Sequence, residues 1–162
     1  MSSTFLPVSP PDLPVDPPDL TQLGNKSEIP ENPHLAHLET IYLEAQRGPL
    51  LIRLSTIELT TLCPVTGQPD FGRLIIDYVP RGKLIESKSL KLFLGSFRNF
   101  NTFHEQCTSY ITDRLFDALD PIWIRVAGLF HPRGGISITP IYELGTFPDN
   151  LHVPGVLHEQ GR

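Results

Sequence analysis

Cysteine is scarce in this chain of 162 residues, which holds only Cys63 and Cys107. Two cysteines cannot build a disulfide framework, and they fall short of a four-cysteine zinc site. No apolar run approaches the roughly 20 residues of a membrane span, and no basic-then-apolar leader opens the sequence. These absences lead to the expectation of a reduced cytoplasmic protein with no membrane partner. Positive charge is also in short supply: 13 Lys and Arg stand against 18 Asp and Glu, a net charge of -5. A chain so acidic has no broad basic face, which argues against direct nucleic-acid binding but leaves room for one local basic pocket. There is no G-x-G-x-x-G run, so a dinucleotide would not be held by a Rossmann unit. What is present is ordinary for a globular domain: 40% hydrophobic and 19% charged residues. The length suits a single domain.

Prolines 7, 10, 11, 14, 17, 18, 30 and 33 crowd the start of the chain. A segment so rich in a residue without a backbone N–H is expected to be a disordered or polyproline-like extension over residues 1–33, with one domain over 34–162. Apolar residues alternate through 51–61, with one slip near Ser55 and Thr56, which predicts a bulged strand. An irregular loop over 62–70 and a second strand over 71–79 follow. Leu90, Phe93, Leu94 and Phe97 recur at helical spacing and predict a helix over 87–97. Asn101 or Thr102 is placed to cap a second helix, whose apolar stripe includes Cys107, Ile111 and Leu115 and which stops at Asp120-Pro121. Strands are predicted over 122–130 and 136–142, joined by a turn at 131–135. The order ββααββ implies an α+β fold, an antiparallel sheet with two helices on one face.

Cys63 sits in the irregular loop, outside any helical stripe or strand alternation. Position alone still favours a buried structural thiol over a nucleophile. Asp70, at the far end of the same loop, either caps a turn or faces the thiol as a proton donor. The run Glu86-Ser87-Lys88-Ser89-Leu90-Lys91 reads as an N-capping Ser with solvated lysines, or as an anion site at a helix N-terminus. His104 and Glu105 open the second helix, where a Glu usually serves the helix dipole. Arg133, Gly134 and Gly135 make an ordinary turn, or a backbone that admits a phosphate.

Taken jointly, "CPVTGQPDF", "ESKSLKLFL", "FHE" and "HPRGG" resemble the NADPH-dependent 7-cyano-7-deazaguanine reductases, the QueF family, in its short single-module form. The resemblance spans about residues 50–144. It implies the tunnelling fold (T-fold), with subunits joined into a barrel, a homo-oligomer of two stacked pentamers, and active sites between subunits. It implies that a small deazapurine nitrile is reduced to the aminomethyl form in queuosine biosynthesis. Two NADPH would be used per turnover, with no metal and no flavin. On this resemblance Cys63 is the nucleophile that forms a thioimidate, Asp70 the proton donor, and His104 a helper in proton traffic. Ile85, Glu86, Ser87, His104 and Glu105 would contact the substrate, and Ser87, Lys88, Lys91, Arg133 and Gly134 the cofactor. Cys107 keeps a packing role, with the further expectation that it can pair reversibly with Cys63 under oxidation. A zinc-holding cyclohydrolase of the same fold is the nearest rival, and the helical-stripe position of Cys107 speaks against it. A purine-binding module without chemistry is the other, disfavoured by the pairing of Cys63 with Asp70.

Overall fold

The computed structural model describes residues 20–156. Four antiparallel strands form the main sheet: β2 (Ile52–Leu62), β3 (Pro69–Val79), β5 (Trp123–Phe130) and β6 (Ile141–Gly145), in the order β2-β3-β5-β6. The predicted slip in β2 is real, and lies between Thr56 and Leu59. Two helices, α1 (Ser87–Gly95) and α2 (His104–Leu119), cover one face, with a 3-10 turn (Ser96–Asn99) continuing α1. Alternation places Leu74, Ile76 and Tyr78 of β3 and Ile124, Val126 and Phe130 of β5 against the helices, where they meet Phe93, Phe97, Ile111 and Leu115. The opposite residues of the same strands turn to the helix-free face. There Ile75, Ala127 and Leu129 pack with Val156. Asp77, fully buried, is gripped on that face by Arg53 and Arg125, each at 2.6 Å, and the carbonyl of Pro154 accepts from both guanidinium groups.

Several expectations need correction. The last strand is not at 136–142 but at Ile141–Gly145, because Pro140 has no N–H to donate. Toward β5 the stretch before it accepts, from Phe130 at Ile138 and from Gly128 at Pro140. A small second sheet pairs β1 (Thr40–Tyr42) with β4 (Lys83–Ile85), strands of three residues that are too short to show a period. Neither predicted cap holds. Phe103 stands at the N-cap of α2 without a side-chain bond, and Glu86, not a serine, caps α1. Asp70 belongs to β3, paired with Thr61, so the irregular loop is shorter than expected.

The boundary at residue 33 also falls inside ordered structure. Thr21 and Gln22 donate to the buried carboxylate of Glu39, and Ile29 lies on Gly95 of α1, where an added Cβ would come within 3.2 Å. Residues 1–19, which carry six of the prolines, lie outside the described residues.

Candidate active site

The hairpin between β2 and β3 wraps its own thiol. Cys63 directly follows β2, and its backbone closes the turn by bonds to Gln68 and Gly67, both 2.8 Å. Gly67 has φ 67°, a conformation that a side chain would strain. Folded this way, the loop aims donors at sulfur: the Thr66 hydroxyl first, then the backbone N–H groups of Thr66 and Val65, with the Arg133 guanidinium adding to them. Hydrogen bonds of this kind favour the thiolate and outweigh its burial, so the Cys63 thiol falls from 9.0 to about 6. Cys107 shows the opposite: burial in the helix core pushes its thiol up to about 12. Both cysteines are free.

Asp70 is buried on the helix-covered face of β3. One carboxylate oxygen pairs with Arg133, and the other stands 3.2 Å from His104 Nε2. The His104 contact is within ion-pair reach but is not aligned as a hydrogen bond. Arg133 therefore touches both the thiol and the carboxylate, and this shared partner brings Cys63 and Asp70 together. It sits in a turn whose next two residues, Gly134 and Gly135, have φ of 57° and 81°, and its own side chain is half-exposed.

His104 is the first residue of α2, and its ring stacks flat on Phe130, centroids 3.8 Å apart at 3°. Glycine makes that seat possible. A Cβ on Gly128 would lie 2.7 Å from the Thr108 hydroxyl and 2.8 Å from the Phe130 ring, and one on Gly72 would lie 3.1 Å from the same ring. Burial holds the imidazole below its ordinary value, against the opposing pull of the Glu105 charge, so it is neutral at pH 7.

Most of the remaining expected residues lie at the end of β4 and the start of α1. Ile85 ends β4 opposite Thr40. The carboxylate of Glu86 accepts from Lys88 N at 2.8 Å and Ser89 N at 2.7 Å and is buried at the start of α1. The Lys88 ammonium is held by the carbonyls of Gln22 and Asn25. Ser87 and Lys91 line a cavity of about 330 Å³ between α1 and β2, which also contains Ile29, Leu54, Leu59 and Arg98. None of Cys63, Asp70, His104 and Arg133 lines it. Glu105 is exposed in the first turn of α2. One chain thus presents two clusters: thiol, carboxylate, imidazole and guanidinium in the first, and the α1 N-terminus with its lysines in the second.

Sequence reasoning missed two contributors. Thr66, three residues after the thiol in a glycine-containing loop, had a visible signal in that spacing. The contact of Arg133 with Cys63 and Asp70 had none, since it depends on the distant β5–β6 turn.

Comparison with known proteins gives these features a context. The family model described as QueF-like protein matches residues 69–148, from the start of β3 past the end of β6. The NADPH-dependent 7-cyano-7-deazaguanine reductase of Syntrophobacter fumaroxidans is 55% identical over 131 residues, covering 81% of this chain and 84% of that protein. The protein of the same name from Brucella ovis is 50% identical over 145 residues, 88% of this chain and 94% of the relative. Among solved structures, an archaeosine synthase QueF-Like in the apo form aligns with a TM-score of 0.57 at 24% identity, over 63% of this chain and all of that one. That likeness speaks to the fold alone.

Fold and relatives together define a class, a T-fold oxidoreductase, here carrying a cysteine of lowered pKa and a buried carboxylate that share one arginine. More particularly, the chain belongs to the family of NADPH-dependent 7-cyano-7-deazaguanine reductases, the QueF family.

Proposed function

We propose that this chain reduces the nitrile of 7-cyano-7-deazaguanine to the primary amine, a step of queuosine biosynthesis, through a thioimidate on Cys63. The observation that carries the mechanism is the activated thiol sharing Arg133 with Asp70. With a value of about 6, most Cys63 is thiolate at neutral pH and needs no separate base. The sulfur attacks the nitrile carbon, one C–N π pair moves to nitrogen, and the protonated carboxyl of Asp70 supplies the proton that nitrogen requires. His104, neutral and stacked on Phe130, lies within reach to relay a proton to Asp70, giving one up at Nε2 as it takes one at Nδ1.

NADPH, when bound, supplies the hydrides, two cofactors for the four electrons that separate nitrile from amine. Ser87, Lys88, Lys91, Arg133 and Gly134 would hold it. The fit is chemical: lysines at a helix N-terminus and an arginine in a glycine turn suit phosphate groups, including the 2′-phosphate of this cofactor. Ile85, Glu86, Ser87 and Glu105 would border the purine, with Glu105 accepting from its N–H edge.

None of Cys63, Asp70, His104 and Arg133 lines the cavity that Ser87 and Lys91 border. This supports sites completed between subunits. β2 and β6 are open sheet edges, with Ile57, Ile141 and Tyr142 exposed on them, which supports closure into rings, two stacked pentamers being the proposed form.

The test mixes the protein with the cyano-deazaguanine and follows thioimidate absorbance, then NADPH oxidation against amine formed. Two NADPH per amine are expected. Cys63→Ala abolishes both signals while the oligomer survives. A wild-type protein that consumes no NADPH with this nitrile refutes the proposal.

A further inference from the structure

Thr61 lies directly opposite Asp70 in the β2–β3 ladder. Partners in an antiparallel ladder project to the same face with their Cβ atoms about 5 Å apart, so the threonine shares the buried side on which Asp70 sits. Thr61 is completely buried, and its hydroxyl has no hydrogen-bond partner among the described residues. An unpaired buried hydroxyl is costly in a strand where Val has the same shape and carries no such penalty. A second buried polar atom without a hydrogen bond, His104 Nε2, flanks the same carboxylate. Two buried polar groups thus stand idle around Asp70 while the half-exposed Arg133 is paired with it.

We propose that Thr61 is a positioning residue for the proton donor: once Arg133 withdraws from Asp70, the Thr61 hydroxyl donates to the carbonyl oxygen of the protonated carboxyl and turns its O–H toward the nitrile nitrogen. The inference rests on the reductase reading above. Its logic is that a carboxyl cannot act as an acid while a guanidinium holds it ionised. The site needs a neutral partner to take over, and a hydroxyl serves because it does not favour ionisation as a cation does. On this proposal the guanidinium of Arg133, half-exposed in a glycine turn that would also meet a phosphate, turns from the carboxylate to that phosphate.

The experiment compares Thr61→Val and Thr61→Ser as full-length oligomers. Three quantities are measured: the rate of thioimidate formation at saturating nitrile, the KM for the nitrile, and the alkylation rate of Cys63 by iodoacetamide. Thr61→Val is expected to slow thioimidate formation about tenfold, the scale of one lost hydrogen bond. Nitrile KM and alkylation should stay at wild-type values, and Thr61→Ser should recover most of the rate. Thr61→Ala replaces the valine variant if that one fails to assemble. Thioimidate formation at the wild-type rate in Thr61→Val overturns the proposal, as does a serine variant no faster than the valine one. Wild-type protein that forms no thioimidate at all instead overturns the underlying reductase reading, so the two failures are distinguishable.

Discussion

Replacing Thr66 by Val removes the strongest single donor to the Cys63 sulfur while keeping the volume of the side chain, at the cost of one long bond from Gln68 N at 3.4 Å. At pH 7 a thiol at about 6 is roughly 90% thiolate, against about 1% for one at 9.0. The rate advantage is smaller than that ratio, because nucleophilicity falls with basicity; a Brønsted slope of 0.4–0.5 takes back about twentyfold. Alkylation at pH 7 is therefore only about four times faster than for an ordinary thiol, and a single-pH rate is a poor diagnostic. The midpoint of the pH profile is the right observable. Loss of one hydrogen bond to a charged atom should move it from about 6 to about 7. Iodoacetamide reads Cys63 cleanly here, since Cys107 is buried with a thiol near 12. A variant midpoint still at about 6, or a wild-type midpoint near 9, refutes the account of activation by the loop. The sign of the linked effect on stability is also fixed. The folded thiol lies below its unfolded value, so its contribution is full above pH 9 and is lost as pH falls from 9 toward 6.

On the helix-free face, Asp77→Ala leaves two largely buried arginines facing each other, and should destabilise the domain by about 3–5 kcal/mol in denaturant unfolding. Unfolding within about 1 kcal/mol of wild type would show that the Pro154 carbonyl and water suffice for those charges. Gly128→Ala forces α2 away from β5 and should cost about 1–3 kcal/mol, with a fall in kcat as His104 leaves Phe130. Wild-type kinetics in that variant would mean that the stacked geometry is not needed for turnover.

The helices, β3 and β5 were legible because their cause is local. Phe93 and Phe97 repeat at the helical period, Leu74, Ile76 and Tyr78 alternate, and Asp120-Pro121 ends α2 where a proline must. The motif around Cys63 likewise carried its own signal, since the turn that gathers donors at sulfur is made of adjacent residues. The last strand was misplaced because Ile136 and Ile138 alternate like a strand, whereas Pro140 decides which backbone can pair. Glu86 was missed as a cap because Ser87 is the commoner capping type.

What the sequence determined by itself, then, is the set of elements and the chemistry of the thiol loop, both products of neighbours in the chain. Only the tertiary structure decided that Thr61 faces Asp70, that Arg133 reaches both thiol and carboxylate, and that none of these lines the cavity beside α1. Those facts depend on strand register and on the seating of α2 over Gly128. Such contacts join residues from nine to some seventy positions apart, and no local pattern encodes them.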